Sequence, residues 1–204
     1  MNPLALNIPN LLTLLRISLI PIFMLVFYLP FHWHSLGSTL IFVIAALTDW
    51  LDGYLARKLK QVSALGAFLD PVADKLIVAV ALVLLVQSRP TIYLAIPAAI
   101  IVSREIAISA LREWMAELGK RNTLAVRGLG RCKTAAQMVA IALLLYAEPK
   151  LLSWINLLGY VLLYLAAGLT LWSMFIYLRA AWQGLYQTPE TPLPPQAQIP
   201  QACD

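Results

Sequence analysis

Six long apolar segments, joined by short polar turns, constrain this chain more than any other feature. They cover roughly residues 11–30, 38–56, 67–87, 91–111, 134–147 and 152–178. A helix crosses a bilayer with about 20 apolar residues. Each segment comes near that length except the fifth, which is short unless it extends toward Arg131. Ala, Leu, Ile and Val dominate without a two-residue alternation. Only helices and closed barrels satisfy their backbone within lipid, and the missing alternation leaves helices. The expected fold is an all-α integral membrane domain with six transmembrane helices. Composition supports this choice: 61% of residues are hydrophobic and 12% charged, against about half and a quarter in soluble domains. A water-soluble enzyme and a disordered chain are both poor fits.

Residues 3–10 mix apolar and polar side chains around Pro9, which limits helix continuity. They read as a short interfacial piece ahead of the first span. Residues 1–10 contain no Lys or Arg, so the charged region of a cleavable leader is missing and the first segment is expected to be retained. The sixth segment is long enough to tilt or to emerge from the membrane. From residue 183 onward, Pro189, Pro192, Pro194, Pro195 and Pro200 leave little to bury. Residues 1–182 are therefore expected to form the membrane domain, and 183–204 a disordered tail. Cys132 and Cys203 have no metal-binding spacing and imply no disulfide framework.

The basic residues fix an orientation. With six spans, both ends of the chain lie on one side. That side carries Arg16, Arg57, Lys58, Lys60, Lys75, Arg104, Arg112, Lys120, Arg121, Arg127, Arg131, Lys133 and Arg179, and the other only Arg89 and Lys150. Such asymmetry places both termini in the cytoplasm. It also accounts for the net charge of +5 as a topology signal, which removes the case for a nucleic-acid partner.

Four of the ten acidic residues, Asp49, Asp52, Asp70 and Asp74, lie in or beside the second and third segments. A carboxylate at the centre of a membrane helix costs about 2.5–3.5 kcal/mol, so four require a compensation. Asp49 and Asp52 are three apart, and Asp70 and Asp74 four apart; each pair shares a helix face. A basic turn, residues 53–61, separates the pairs. A hairpin brings both pairs to one depth near the cytoplasmic surface, where they repel unless cations neutralise them. Oxygen ligands suit Mg²⁺ or Mn²⁺, and two such ions about 3.5–4 Å apart clamp a phosphoryl displacement. Gly53, Ala56 and Gly66 leave room for a nucleotide, or else serve close helix packing. Arg57 can neutralise a phosphate or snorkel at the helix end.

The run Asp49-Trp50-Leu51-Asp52-Gly53-Tyr54-Leu55-Ala56-Arg57, followed by Gly66, Asp70 and Asp74, resembles the signature of the CDP-alcohol phosphotransferases at every fixed position. Residues 7–16, 104–106, 109–116 and 133–138 are similar to the bacterial branch whose acceptor is sn-glycerol 3-phosphate. The likeness covers residues 7 to about 178 and leaves out the tail. It implies transfer of the phosphatidyl group of CDP-diacylglycerol to glycerol 3-phosphate, with release of CMP and assistance from two divalent ions. Asp49, Asp52 and Asp70 match the family's metal ligands. Asp74 matches a position proposed both as a ligand and as the catalytic base. Gly53, Ala56, Arg57 and Gly66 match the CDP-binding positions. A homodimer in the bacterial inner membrane, with the active site facing the cytoplasm, is implied in the same way.

An acceptor that is a dianion calls for a basic cytoplasmic pocket. Arg104 lies inside the fourth apolar segment and carries a membrane cost, so it ranks first among the candidates, although it could simply pair with Glu105 or an Asp of the cluster. Lys133 follows, then Arg112 and Arg131. Arg104 and Arg112 are separated by a rise of about 12 Å on a straight helix, too far to share one phosphate easily. Asn10, Thr13 and Arg16 can reach the nucleotide from the first span. Other acceptors remain open within the family, as in cardiolipin, phosphatidylserine or phosphatidylinositol-phosphate synthases. A cation transporter predicts midplane acids and inverted repeats, and no repeat is visible. A purely structural membrane protein leaves the four carboxylates unexplained.

Overall fold

The computed structural model describes residues 8–30, 33–59, 64–117, 129–147 and 154–186. Among them are six helices: α1 (Ile8–Tyr28), α2 (His34–Leu59), α3 (Ala64–Ser88), α4 (Ile92–Glu117), α5 (Leu129–Tyr146) and α6 (Trp154–Tyr186). α1, α3, α4 and α6 are long and apolar enough to cross a membrane. The apolar part of α2 covers only His34–Asp49, and that of α5 only Lys133–Tyr146. Charge sets both limits: α2 runs on through Asp49 and Asp52 to Arg57, and α5 begins with Arg131 and Lys133. The helix of the fifth segment starts at Leu129, ahead of Arg131, while its apolar part stays short of spanning length. α6 continues to Tyr186, beyond the boundary expected at residue 182. The interfacial piece before Ile8 and the tail after Tyr186 lie outside the described residues.

The fold is consistent with an integral membrane protein. Trp154, Tyr93, Leu25, Trp172 and Phe175 are exposed on the outside of the bundle, a surface suited to lipid rather than water. Inside, each helix adds to one core, for example Phe23, Phe42, Leu82, Ile101, Ile141 and Leu163 in chain order. The Phe23 and Phe42 rings stand 6.3 Å apart and bind α1 to α2. α3 packs against α1, α2, α4 and α5, and α6 against α4 and α5. Hydroxyls within the helices bond back to carbonyls, as in Thr48 Oγ1 to Ile44 O at 2.6 Å, which satisfies them where water is scarce. Pro21, Pro71 and Pro97 sit inside helices, a placement that neighbouring membrane helices tolerate.

Arg89 closes the end of the bundle away from the carboxylates. It is buried between α3 and α4. Its Nη1 donates to Asn156 Oδ1 at 2.6 Å, and its Nη2 to the carbonyls of Leu144, at 2.6 Å, and Ala147. The last carbonyls of a helix have no partner within it, and here a guanidinium supplies one for α5.

α5 and α6 form the most extensive helix pair, and Gly159 explains how closely they approach. A Cβ at this position would lie 2.8 Å from Leu144 Cγ and 2.9 Å from its Cδ2. At Gly168 a Cβ would meet nothing within 4 Å. Gly159→Ala is expected to destabilise the protein by about 1–3 kcal/mol through overpacking, whereas Gly168→Ala should be neutral. Thermal unfolding of the two variants in detergent provides the comparison, and equal melting temperatures would remove this account of the α5–α6 contact.

Candidate active site

One end of the bundle gathers the carboxylates. Thr13 and Arg16, three residues apart on α1, share a face, and both are fully buried. Arg16 Nη1 donates to Asp49 Oδ1 on α2 at 2.7 Å, while the Asp49 side chain is 42% exposed. Asp74 on α3 interacts electrostatically with Asp49, Arg16, Glu105 and Lys75. Asp49 and Asp74, on different helices, thus lie within electrostatic range of each other. Arg16, expected from the sequence to reach the nucleotide, pairs instead with a carboxylate of the cluster, a partner 33 residues along the chain that no local pattern reveals.

Asp52 falls three residues after Asp49 on α2, and Asp70 four before Asp74 on α3. Their side chains lie outside the described residues, as do those of Asn10, Gly53, Ala56, Arg57 and Arg131. Gly66 is buried in the first turn of α3. Among the described residues no three His, Cys, Asp or Glu side chains come together as a metal site; the described pair is Asp49 and Asp74. The donor set is nonetheless of one chemical kind. The carboxylates of the two helices are hard oxygen ligands, which fit Mg²⁺ or Mn²⁺ and not a soft metal.

A second cluster lies beside the first. Arg104 on α4 and Lys133 on α5 are buried, and so is Ser173 on α6. Arg104 Nη2 donates to Ser173 Oγ at 3.1 Å and Lys133 Nζ to the same oxygen at 3.4 Å. The Ser173 proton goes to Thr170 O at 2.9 Å, which leaves the lone pairs of the hydroxyl to the two cations. Arg104 Nη1 also pairs with Glu105 Oε1 at 2.5 Å, the pairing raised as an alternative from the sequence. One carboxylate does not balance two cations, and Arg104 Nε has no hydrogen-bond partner among the described residues. A buried donor left unmade is costly, and two cations beside one carboxylate leave the cluster with an excess of positive charge.

The two clusters adjoin. Lys75, next to Asp74 on α3, donates to Ser109 Oγ on α4, and Ser109 bonds back to Glu105 O at 2.7 Å. The structure brings together Arg104 and Lys133, the first two candidates for an anion pocket. Arg112 is exposed on α4 and reaches Lys133 only as a longer-range charge. Ser173 gave no signal in the sequence, being one hydroxyl in the longest apolar run.

Comparison with known proteins covers both clusters. The family model for CDP-alcohol phosphatidyltransferase matches residues 6–172. A Pseudomonas fluorescens protein is 59% identical over 185 residues, 88% of this chain and 92% of its own length. A Salmonella typhimurium protein is 57% identical over 86% of this chain and 94% of its own. One from Sodalis glossinidius is 54% identical over 90% of this chain and 100% of its own. All three bear the name CDP-diacylglycerol--glycerol-3-phosphate 3-phosphatidyltransferase. Because the family match spans the carboxylate pairs as well as Arg104 and Lys133, and the relatives share more than half their residues with it, the chain belongs to the CDP-alcohol phosphatidyltransferase family.

Proposed function

We propose that this chain transfers the phosphatidyl group of CDP-diacylglycerol to sn-glycerol 3-phosphate, giving phosphatidylglycerophosphate and CMP. The observation that carries the choice of acceptor is the convergence of buried Arg104 and Lys133 on Ser173, beside Asp49 and Asp74. A phosphorylated acceptor uses that charge, and serine does not. The names of the relatives point to the same reaction.

In this reading Arg104 and Lys133 hold the acceptor's phosphate and set its distal hydroxyl toward Asp74. Asp74 takes the hydroxyl proton, since an alkanol is a poor nucleophile near neutral pH. The acceptor oxygen bonds to the β-phosphorus of CDP-diacylglycerol, and the bond from that phosphorus to the CMP oxygen breaks. Asp49, Asp52, Asp70 and Asp74 would hold two divalent ions, Mg²⁺ or Mn²⁺, which when bound supply charge stabilisation for the departing CMP. Arg16 keeps the Asp49 carboxylate in one orientation. Gly53, Ala56, Arg57 and Gly66, with Asn10 and Thr13, line the nucleotide's approach. Arg112 and Arg131 stand at the acceptor's entrance as supporting charges.

The remaining architecture belongs to the same proposal. All six helices span the bacterial inner membrane, both termini are cytoplasmic, and the site opens to the cytoplasm while the lipid chains stay in the bilayer. The protein works as a homodimer, with a membrane domain over residues 1–182 followed by a proline-rich tail. The test is CMP release by purified protein supplied with CDP-diacylglycerol and Mg²⁺, with glycerol 3-phosphate, serine, inositol phosphate or phosphatidylglycerol added one at a time. Release should depend on glycerol 3-phosphate. Release with another acceptor alone would overturn the pocket assignment, and none with any acceptor would overturn the reaction.

A further inference from the structure

Glu105 is the one described side chain that belongs to both clusters. It follows Arg104 on α4 and pairs with it at 2.5 Å through Oε1. Its charge also acts on both Asp74 and Lys133. Its side chain is 27% exposed.

A carboxylate is a costly neighbour for a phosphate. It cancels one of the two positive charges that Arg104 and Lys133 provide and adds a direct repulsion. A pocket meant for phosphate alone would be better without it. What a carboxylate does well is accept a hydrogen bond from a hydroxyl, and such charge-assisted bonds are roughly twice as strong as neutral ones. Glycerol 3-phosphate has one hydroxyl to react and one that does not. With the phosphate on Arg104 and Lys133 and the reacting hydroxyl at Asp74, the middle carbon and its hydroxyl fall between those ends, and Glu105 is paired with Arg104 while its charge acts on both Asp74 and Lys133.

We propose that Glu105 is the specificity-determining residue for the acceptor: its carboxylate receives the non-reacting secondary hydroxyl of the polyol phosphate, while its other oxygen holds Arg104 in place. The inference rests on the acceptor reading given above. It explains why the seat for an anion includes an anion of its own. An acceptor without a hydroxyl at that carbon leaves the carboxylate facing the phosphate uncompensated and is rejected.

The experiment compares glycerol 3-phosphate with 3-hydroxypropyl phosphate, which lacks only the secondary hydroxyl. The quantity read is the ratio of kcat/KM for the two acceptors. In the unmodified protein the ratio should be about 10–100, the range for a hydrogen bond to a charged group. It should fall to about 1–3 in Glu105→Ala, where no acceptor oxygen remains. Glu105→Gln, which keeps the shape and one acceptor oxygen, should fall between them and serves if the Ala variant does not fold. A structural role for Glu105 lowers activity with both acceptors equally and leaves the ratio unchanged. That result, or an unmodified protein that does not distinguish the two compounds, overturns the inference while leaving the phosphate seat intact. An unmodified protein that does not use glycerol 3-phosphate at all overturns the acceptor reading, and the inference with it.

Discussion

Asp74→Asn should lower kcat by roughly 10²–10⁴-fold, the contribution expected of a positioned general base. The substitution keeps the side chain's size and removes only its ability to take a proton and to bind a cation as a full ligand. Its neighbours change little: Asp74 is one charge among Asp49, Arg16, Glu105 and Lys75, and Arg16 retains its own bond to Asp49. The helical signal in circular dichroism and the melting temperature should therefore stay close to those of the unmodified protein. The KM for CDP-diacylglycerol in saturating Mg²⁺ should rise as well, because the same carboxylate is proposed to hold a metal. A variant that kept more than a tenth of the original kcat would remove Asp74 from both roles.

The second large effect concerns the acceptor alone. Lys133→Met should raise the KM for glycerol 3-phosphate by roughly 10- to 100-fold, equivalent to about 1.5–3 kcal/mol for a lost bond to a charged group. The KM for CDP-diacylglycerol should not change, since the nucleotide is assigned to the other cluster. Met fills much of the volume of the Lys stem, so packing against α4 and α6 is kept. Arg104→Lys keeps the charge but loses the planar fork that reaches Glu105 and Ser173 together; it should also raise the acceptor KM, because the two cations are not interchangeable at a forked site. Steady-state kinetics with each substrate varied in turn provides the check. An equal change in both KM values would mean that the cluster is structural.

The chemistry of the carboxylate end was legible in the sequence because charge inside an apolar segment stands out against its surroundings. Asp49, Asp74 and Arg104 were visible for that reason. The helical character was legible too, from segment length and the missing alternation, and the described residues form six helices, four of them long and apolar enough to cross a membrane. What local pattern does not carry is which helix lies beside which. The bond from Arg16 to Asp49 crosses from α1 to α2, and the link from Lys75 to Ser109 crosses from α3 to α4. Both depend on packing angles that no short stretch specifies. Ser173 was invisible for another reason: a serine in a membrane helix usually satisfies itself by bonding back one turn, and Ser173 does this to Thr170 while also serving two cations. Arg112 lies on an exposed face of α4, from which its charge acts on Lys133, and the sequence did not show that exposure.

Arg89 sets an order of events during synthesis. Its acceptors on α5 and α6 follow it by 55 to 67 residues, so none exists when the turn between α3 and α4 first emerges from the ribosome. A guanidinium without acceptors resists burial in lipid, and Arg89 therefore stays hydrated while the first four helices settle. Arrival of the last helical hairpin brings Asn156 and the free carbonyls of α5 together, and that end of the bundle can then dehydrate. The same hairpin carries Lys133 and Ser173, so the seat for the acceptor is completed by the step that closes the opposite end. A nascent chain halted after α4 would hold its carboxylates and lack any place for the molecule they are meant to activate.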